Sequence, residues 1–297
     1  MSLVIVGSIA LDTIYTPGGE IHDALGGSAI YGSLAASLFS PTYIVGVLGT
    51  DFPQSGLDVL RAQGVHLDGL DFKAGKTFRW SGKYDTWNKA ETLNTELNVF
   101  ADFSPLLPDS CKSCNSLLLA NIHPSLQLQV LAQIDSYTHV ACDTMNYWIS
   151  LCPMELEQVI RRVDIVFMNE DEIKEFTRNQ NIFAAARDIL RMGPQWVIIK
   201  RGEYGAVAVS PEHYYFAPAY PVEEVKDPTG AGDCFAGAFM AFLANHPVLN
   251  RELVQEAVRY GTVLAALNVQ DFSVKGIIGK TRQEIETYKD QLVVWTS

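Results

Sequence analysis

Positive charge is what this chain has least of. Its 297 residues hold 22 Lys and Arg against 34 Asp and Glu, a formal net charge of −12. A nucleic acid or an anionic membrane surface requires a basic face, so neither is expected as a partner. Long apolar runs are missing too. None approaches the roughly 20 residues of a membrane span, and the N-terminus lacks a basic segment followed by an apolar stretch and a small-residue cleavage site. A cytoplasmic protein is the expectation. Cysteines number five, an odd count scattered along the chain, which excludes a disulfide framework. Cys111-Lys112-Ser113-Cys114 has zinc-knuckle spacing but neither a second pair nor a nearby pair of histidines. No two of the six histidines stand four residues apart, and no Gly-x-Ser-x-Gly elbow occurs. Repeats, low-complexity tracts and a Pro/Gly/Ser-rich linker are also lacking, so residues 1–297 read as one domain.

What is present is an ordinary globular composition, 48% hydrophobic and 19% charged, with ample material for a core. The chain is organised around Asp227-Pro228-Thr229-Gly230-Ala231-Gly232-Asp233, which opens into Cys234-Phe235-Ala236-Gly237-Ala238-Phe239-Met240-Ala241-Phe242-Leu243-Ala244. A helix that is apolar all round must be buried. Its first amides and the positive end of its dipole then lie deep in the protein, where an anion is expected. Gly230 and Gly232 remove side chains from that spot, and Asp233 adds a carboxylate beside it. Donors next to a carboxylate suit phosphoryl transfer, the amides holding charge and the Asp taking a proton from a hydroxyl. Asp233 as an ordinary helix cap is the alternative. A dinucleotide fingerprint would need glycine at Phe235, and a P-loop would need Gly-Lys-Ser/Thr at the helix start. Gly279-Lys280-Thr281 has Val274 where a P-loop needs its first glycine, and reads as a helix start.

Elsewhere strands and helices alternate. Leu3–Val6, Tyr43–Val47, Leu117–Ala120, His139–Cys142, Ile165–Met168 and Trp196–Lys200 read as strands with helices between most of them. This implies a mainly parallel sheet covered on both faces, with a site along its C-terminal edge. Asp12 lies just past the first strand. Gly26-Gly27 open a second largely apolar helix from Ser28, so two buried helix starts face one region. Thr77 to Phe103 departs from the alternation: rich in Thr, Trp, Tyr and Phe, it reads as a small β lid, with lid segments at about 12–25 and 72–104. Its aromatics Phe78, Trp80, Tyr84 and Trp87 suit a ligand ring, a lid-to-lid dimer, or the lid's own strands.

These residues resemble the ribokinase-like, or PfkB, carbohydrate kinase family over essentially the whole chain. Four motifs stand in the family's order: Gly26-Gly27 with Asp12 upstream, Asn169-Glu170-Asp171-Glu172 as Asn-x-x-Glu, Lys200-Arg201-Gly202-Glu203-Tyr204-Gly205 as the glycine turn, and Asp227 to Asp233 as Asp-x-x-Gly-Ala-Gly-Asp. The resemblance implies a three-layer α/β sandwich with a mainly parallel central sheet and a small β lid. It implies that Asp233 is the catalytic base and that Gly230, Ala231 and Gly232 form the anion hole. Asp12, Gly26, Gly27 and Tyr31 would meet the acceptor. Asn169, Glu172, Lys200, Gly202, Gly205 and Thr229 would serve the nucleotide and its phosphates, Glu172 handling Mg2+ through water; a surface helix cap is the other reading of Asn169 and Glu172. ATP and Mg2+ are the implied cofactors, with K+ at a site near Asp227 and Thr229 in members that carry one. A carboxylate at a helix N-terminus has its charged form stabilised, so Asp233 is expected to be a weak base.

The acceptor is less defined. Where sugar kinases of the family often carry Lys-Gly-Ala-Asn, this chain has Ser28-Ala29-Ile30-Tyr31, with Tyr in place of an Asn that contacts sugar hydroxyls. Asp143-Thr144-Met145-Asn146-Tyr147-Trp148 lacks the Arg of the family's keto-acid sugar kinases, which argues against an extra anionic group. An aromatic lid and a diol-gripping Asp favour a nucleoside over a free sugar such as ribose or fructose. A non-catalytic sensor on the same fold would need neither Asp233 nor the Asn169/Glu172 pair, and an oxidoreductase is opposed by Phe235. A monomer and a lid-mediated homodimer are both compatible with the sequence.

Overall fold

The computed structural model describes residues 1–87, 89–134 and 137–292. Nine strands form the large sheet. From one edge they run β13 (Tyr214–Ala217), β12 (Ala206–Val209), β11 (Trp196–Lys200), β10 (Ile165–Asn169), β9 (His139–Cys142), β8 (Ser116–Leu119), β1 (Leu3–Val6), β4 (Thr42–Gly49) and β5 (Val65–Lys73). Pairing is parallel from β5 to β11, and only β12 runs the other way. Such a sheet is buried on both faces, so its strands are continuous hydrophobic runs. Alternate residues of β1 feed opposite layers: Leu3 and Ile5 join the core on one side, Val4 and Val6 the core on the other. The result is the expected three-layer sandwich. Among the described residues no helix is long and apolar enough to cross a membrane.

The small sheet has the order β3 (Gly19–Gly26), β2 (Ala10–Thr16), β6 (Phe78–Thr86) and β7 (Lys89–Glu96). Its β2–β3 and β6–β7 pairs are antiparallel hairpins, joined by a parallel β2–β6 contact. The lid boundaries read from sequence shift as a result. Residues 72 and 73 belong to the large sheet, because the β4–β5 ladder continues to Gly49↔Lys73, and the small sheet begins at Ala10 rather than Asp12. β5 was missed as a main-sheet strand because it is an edge strand with half its side chains in solvent, which gives it the alternation of a lid.

Two helices on the same side of the sheet carry the ends that matter, Ser28–Ala36 and Ala231–Leu243. All nine residues of the first are buried, as are Cys234 to Ala241 of the second. They approach so closely that a Cβ at position 237 would fall 2.2 Å from the Gly32 carbonyl oxygen. Helix propensity favours Ala over Gly by about 1 kcal/mol. Here the obstacle is main chain, which cannot rotate away. Gly237→Ala is therefore expected to destabilise the protein by about 1–3 kcal/mol despite the better propensity, read as a lower urea midpoint with an unchanged slope.

Candidate active site

The C-terminal ends of β1, β9, β10 and β11 open on one edge of the large sheet and deliver Ser8, Asp143, Asn169 and Lys200 there. Asn169 and Lys200 are register partners on neighbouring strands. The Ala231–Leu243 helix starts over the same edge. Lys200 Nζ lies 2.9 Å from Asp143 Oδ1 and 2.7 Å from Oδ2, and a Cβ at Gly232 would lie 3.1 Å from that ammonium. One cation thus stands beside the first turn of the buried helix.

The loop before that helix is shaped by its own residues. Asp227 is fully buried, and its carboxylate accepts the backbone N–H groups of Thr229 and Ser273, each at 2.9 Å. Asn268, also fully buried, donates Nδ2 to the Thr229 carbonyl at 2.7 Å, while its Oδ1 has no hydrogen-bond partner among the described residues. Gly230 adopts φ 76°, and a Cβ there would fall 2.3 Å from the Tyr31 ring, so glycine is required on both counts. Asp233 follows in the first helical turn, half-buried.

The other predicted residues divide between this edge and supporting positions. Asp12 is buried on β2, and its carboxylate occupies the space that a Cβ at Gly26 would need, 1.9 Å from Oδ2. Gly27, at φ 92°, caps the first helix. Tyr31 is buried with its ring on Gly230 and its hydroxyl without a hydrogen-bond partner among the described residues. Asn169 and Glu172 form a reciprocal capping box: the Glu172 N–H donates to Asn169 Oδ1 at 2.8 Å, and the Asn169 N–H to Glu172 Oε2 at 2.6 Å. The cap geometry is therefore realised, with Glu172 Oε1 left over. Gly202 and Gly205 form the turn from β11 to β12, both at positive φ, and a Cβ at Gly205 would fall 2.0 Å from the Ala217 carbonyl oxygen.

Charge at the site is unbalanced. Burial, with the Asp227 charge adding, pushes Asp12 up to about 8. Burial also raises Glu172 to about 7, against the pull of Lys200. Asp233 rises to about 7 through burial and the Asp143 charge, only partly offset by Lys200. The expected weak base is thus corrected: desolvation outweighs the helix dipole. Burial works against the charge on Lys200, yet Asp143, Glu172 and Asp233 together raise it. Among the described residues no three His, Cys, Asp or Glu side chains gather as a metal cage. Glu172, buried with a spare oxygen, fits a hydrated Mg2+ bound chiefly through water and phosphates.

Sequence reasoning gave no role to Asp143, Asn268, Ser273 or Gln127, whose buried Nε2 donates to the carbonyls of Leu119, Ala120 and Asp143. Asp143 carried a readable signal, since it directly follows a strand ending at the same edge. Asn268 carried none, being the last residue of the helix Arg251–Asn268, whose local pattern is ordinary. Of the lid aromatics, Phe78 packs on Phe100 and the Trp80 Nε1 donates to Thr92 Oγ1. Tyr84 instead reaches the loop, its hydroxyl 3.1 Å from Thr229 Oγ1.

A profile of the pfkB family carbohydrate kinases matches residues 2–278. The chain belongs to this family. Among the relatives of the kinase family, a cytidine kinase of Thermococcus kodakarensis is 29% identical over 247 residues, covering 81% of this chain and 88% of the relative. The fold is that of a Methanocaldococcus jannaschii nucleoside kinase, an archaeal member of the ribokinase family, with a TM-score of 0.79 at 17% identity over 98% of each chain. It is likewise that of an E. coli ribokinase II candidate solved with ATP and Mg2+, with a TM-score of 0.78 at 22% identity over 98% of this chain and 99% of that one.

Proposed function

We propose that this PfkB-family protein transfers the γ-phosphoryl group of ATP to a hydroxymethyl group of a furanose, with a nucleoside as the preferred acceptor. The observation that carries the reading is a carboxylate, an ammonium and a glycine-rich helix start converging on one buried edge: Asp233, Lys200 and Gly230-Ala231-Gly232. The acceptor oxygen attacks the γ-phosphorus, the bond from that phosphorus to the β,γ-bridging oxygen breaks, and the hydroxyl proton passes to Asp233. The amides of Gly230, Ala231 and Gly232 stabilise charge on the phosphoryl oxygens. Asp12, lodged against Gly26 and Gly27, grips a vicinal diol, and Tyr31 offers its unpartnered hydroxyl to the acceptor side. Bound Mg2+ would neutralise phosphate charge; Asn169 and Glu172 are the residues that would hold its waters, and Gly202, Gly205 and Thr229 those that would flank the nucleotide.

Two observations support the nucleoside. The cytidine kinase relative aligns over most of both chains, and the Asp143–Trp148 segment has no Arg for an anionic sugar. The unpartnered Oδ1 of Asn268, on the amide that bonds Thr229, supports a K+ site shared with Asp227. The protein is read as cytoplasmic, and as a monomer or a lid-to-lid homodimer. An ATP-consumption screen with Mg2+, with and without K+, across nucleosides and free pentoses and hexoses tests the reading. Turnover is expected with at least one nucleoside. Turnover confined to free sugars would overturn the acceptor, and none with any acceptor would revive a non-catalytic sensor.

A further inference from the structure

Lys200 is drawn into a group of buried and half-buried carboxylates, with Asp143, Glu172 and Asp233 all acting on it. An ammonium has three donors. Asp143 takes one at each of its oxygens, 2.9 and 2.7 Å from Nζ, and no other side chain or carbonyl among the described residues hydrogen-bonds that nitrogen. The remaining donor stands beside Gly232, where even a Cβ would come within 3.1 Å of it. Asp143 is itself fixed: its carbonyl accepts from Gln127 Nε2 at 3.0 Å and its Oδ1 from the Thr144 N–H at 2.9 Å, and both Asp143 and Gln127 are buried.

We propose that Asp143 is a positioning residue that holds Lys200 with one donor aimed at the transferred phosphoryl group and keeps it from pairing with Asp233. The inference rests on the phosphotransfer reading above. Freed from Asp143, the Lys200 side chain would swing to Asp233 or Glu172, tying up either the base or the metal-handling carboxylate. A diphosphate lacks the group that Lys200 would meet, so the effect of Asp143 falls on the triphosphate alone.

The test is calorimetric binding of Mg2+-ADP and of a non-hydrolysable Mg2+-ATP analogue to the full chain, as wild type, Asp143→Asn, Lys200→Met and the double variant. Asp143→Asn and Lys200→Met are each expected to lose about 10-fold in affinity for the analogue, the size of one charge-assisted hydrogen bond. Binding of ADP should change by less than about 2-fold, and the double variant should bind the analogue as Lys200→Met does. Unchanged analogue binding in Asp143→Asn, equal losses for both nucleotides, or losses that multiply in the double variant would each overturn the proposal. Should the lone Asp143→Asn fail to fold, the comparison of Lys200→Met with the double variant, which buries no unpaired charge, decides alone. A wild type that binds neither nucleotide overturns the phosphotransfer reading, and this inference with it.

Discussion

Asp233→Asn is expected to lower kcat at least ~100-fold while the protein stays folded, the usual range for removing a general base. Asparagine has the same shape, keeps an acceptor oxygen at the helix start and cannot take the hydroxyl proton. Two features sharpen the expectation. The transition state of phosphoryl transfer is loose, so the proton leaves the hydroxyl late and the position of the base counts for more than its strength. Burial and the Asp143 charge nevertheless raise Asp233 to about 7, so in the ligand-free protein it is only about half ionised at neutral pH. The rate of wild type should then rise with pH through about 7 as the carboxylate forms, and the residual rate of Asp233→Asn should lack that limb. Steady-state kcat/KM between pH 5.5 and 9, which reports ionisation in the ligand-free enzyme, checks the limb, and kcat with circular dichroism to verify folding checks the loss. Near-normal turnover in the variant would reduce Asp233 to a first-turn carboxylate that complements the helix dipole, the cap position itself being Gly230.

The large sheet was legible because buried parallel strands write themselves as uninterrupted apolar runs. Ile165–Asn169 and Trp196–Lys200 end within a residue of their sequence-based limits. Helix starts were legible for a related reason: Gly26-Gly27 and Gly230-Ala231-Gly232 stand where glycine has no ordinary use in a soluble surface turn, and the crowding at Asp12 and Tyr31 supplies the cause. What could not be read was pairing across long separations. Asp143 and Lys200 are 57 residues apart, and their ion pair arises only because β9 and β11 flank β10 in the sheet. Asn268 reaches Thr229 from the end of an 18-residue helix whose local pattern is ordinary. The strength of Asp233 was misjudged because a helix dipole can be inferred locally, whereas desolvation depends on the whole fold.

The same charge imbalance makes an unusual stability profile the second large effect. Asp12 rises to about 8 and Glu172 and Asp233 to about 7, all chiefly through burial, and Asp227 is raised as well. Unfolded carboxyls titrate near 4. A group whose pKa is higher in the folded state holds its proton more tightly there, so its contribution is complete below about pH 4 and is lost as pH rises to the folded value. The carboxylates that shift the other way, such as Asp51 and Glu170, lose their contribution only as pH falls towards 4 and below. Between pH 5.5 and 8.5 the raised group therefore dominates, and the ligand-free protein should become less stable as pH rises. Asp12 and Glu172 are almost fully buried; at ~1.4 kcal/mol per pH unit, Asp12 titrates over about 2.5 pH units and Glu172 over about 1.5 between pH 5.5 and their folded values, so the total is on the order of 5 kcal/mol. Thermal unfolding should then come roughly 5 °C or more lower at pH 8.5 than at pH 5.5. Asp12→Asn, which removes the most strongly shifted carboxyl, should flatten the profile, and Mg2+-nucleotide should narrow the difference by bringing cations to Glu172 and its neighbours. A stability that stays level or climbs across this range would mean that the carboxyls are ionised at little cost in the folded chain. If it falls as expected, the site is built with more negative charge than the empty fold tolerates, and proton, metal and substrate hydroxyls are alternative ways of relieving it.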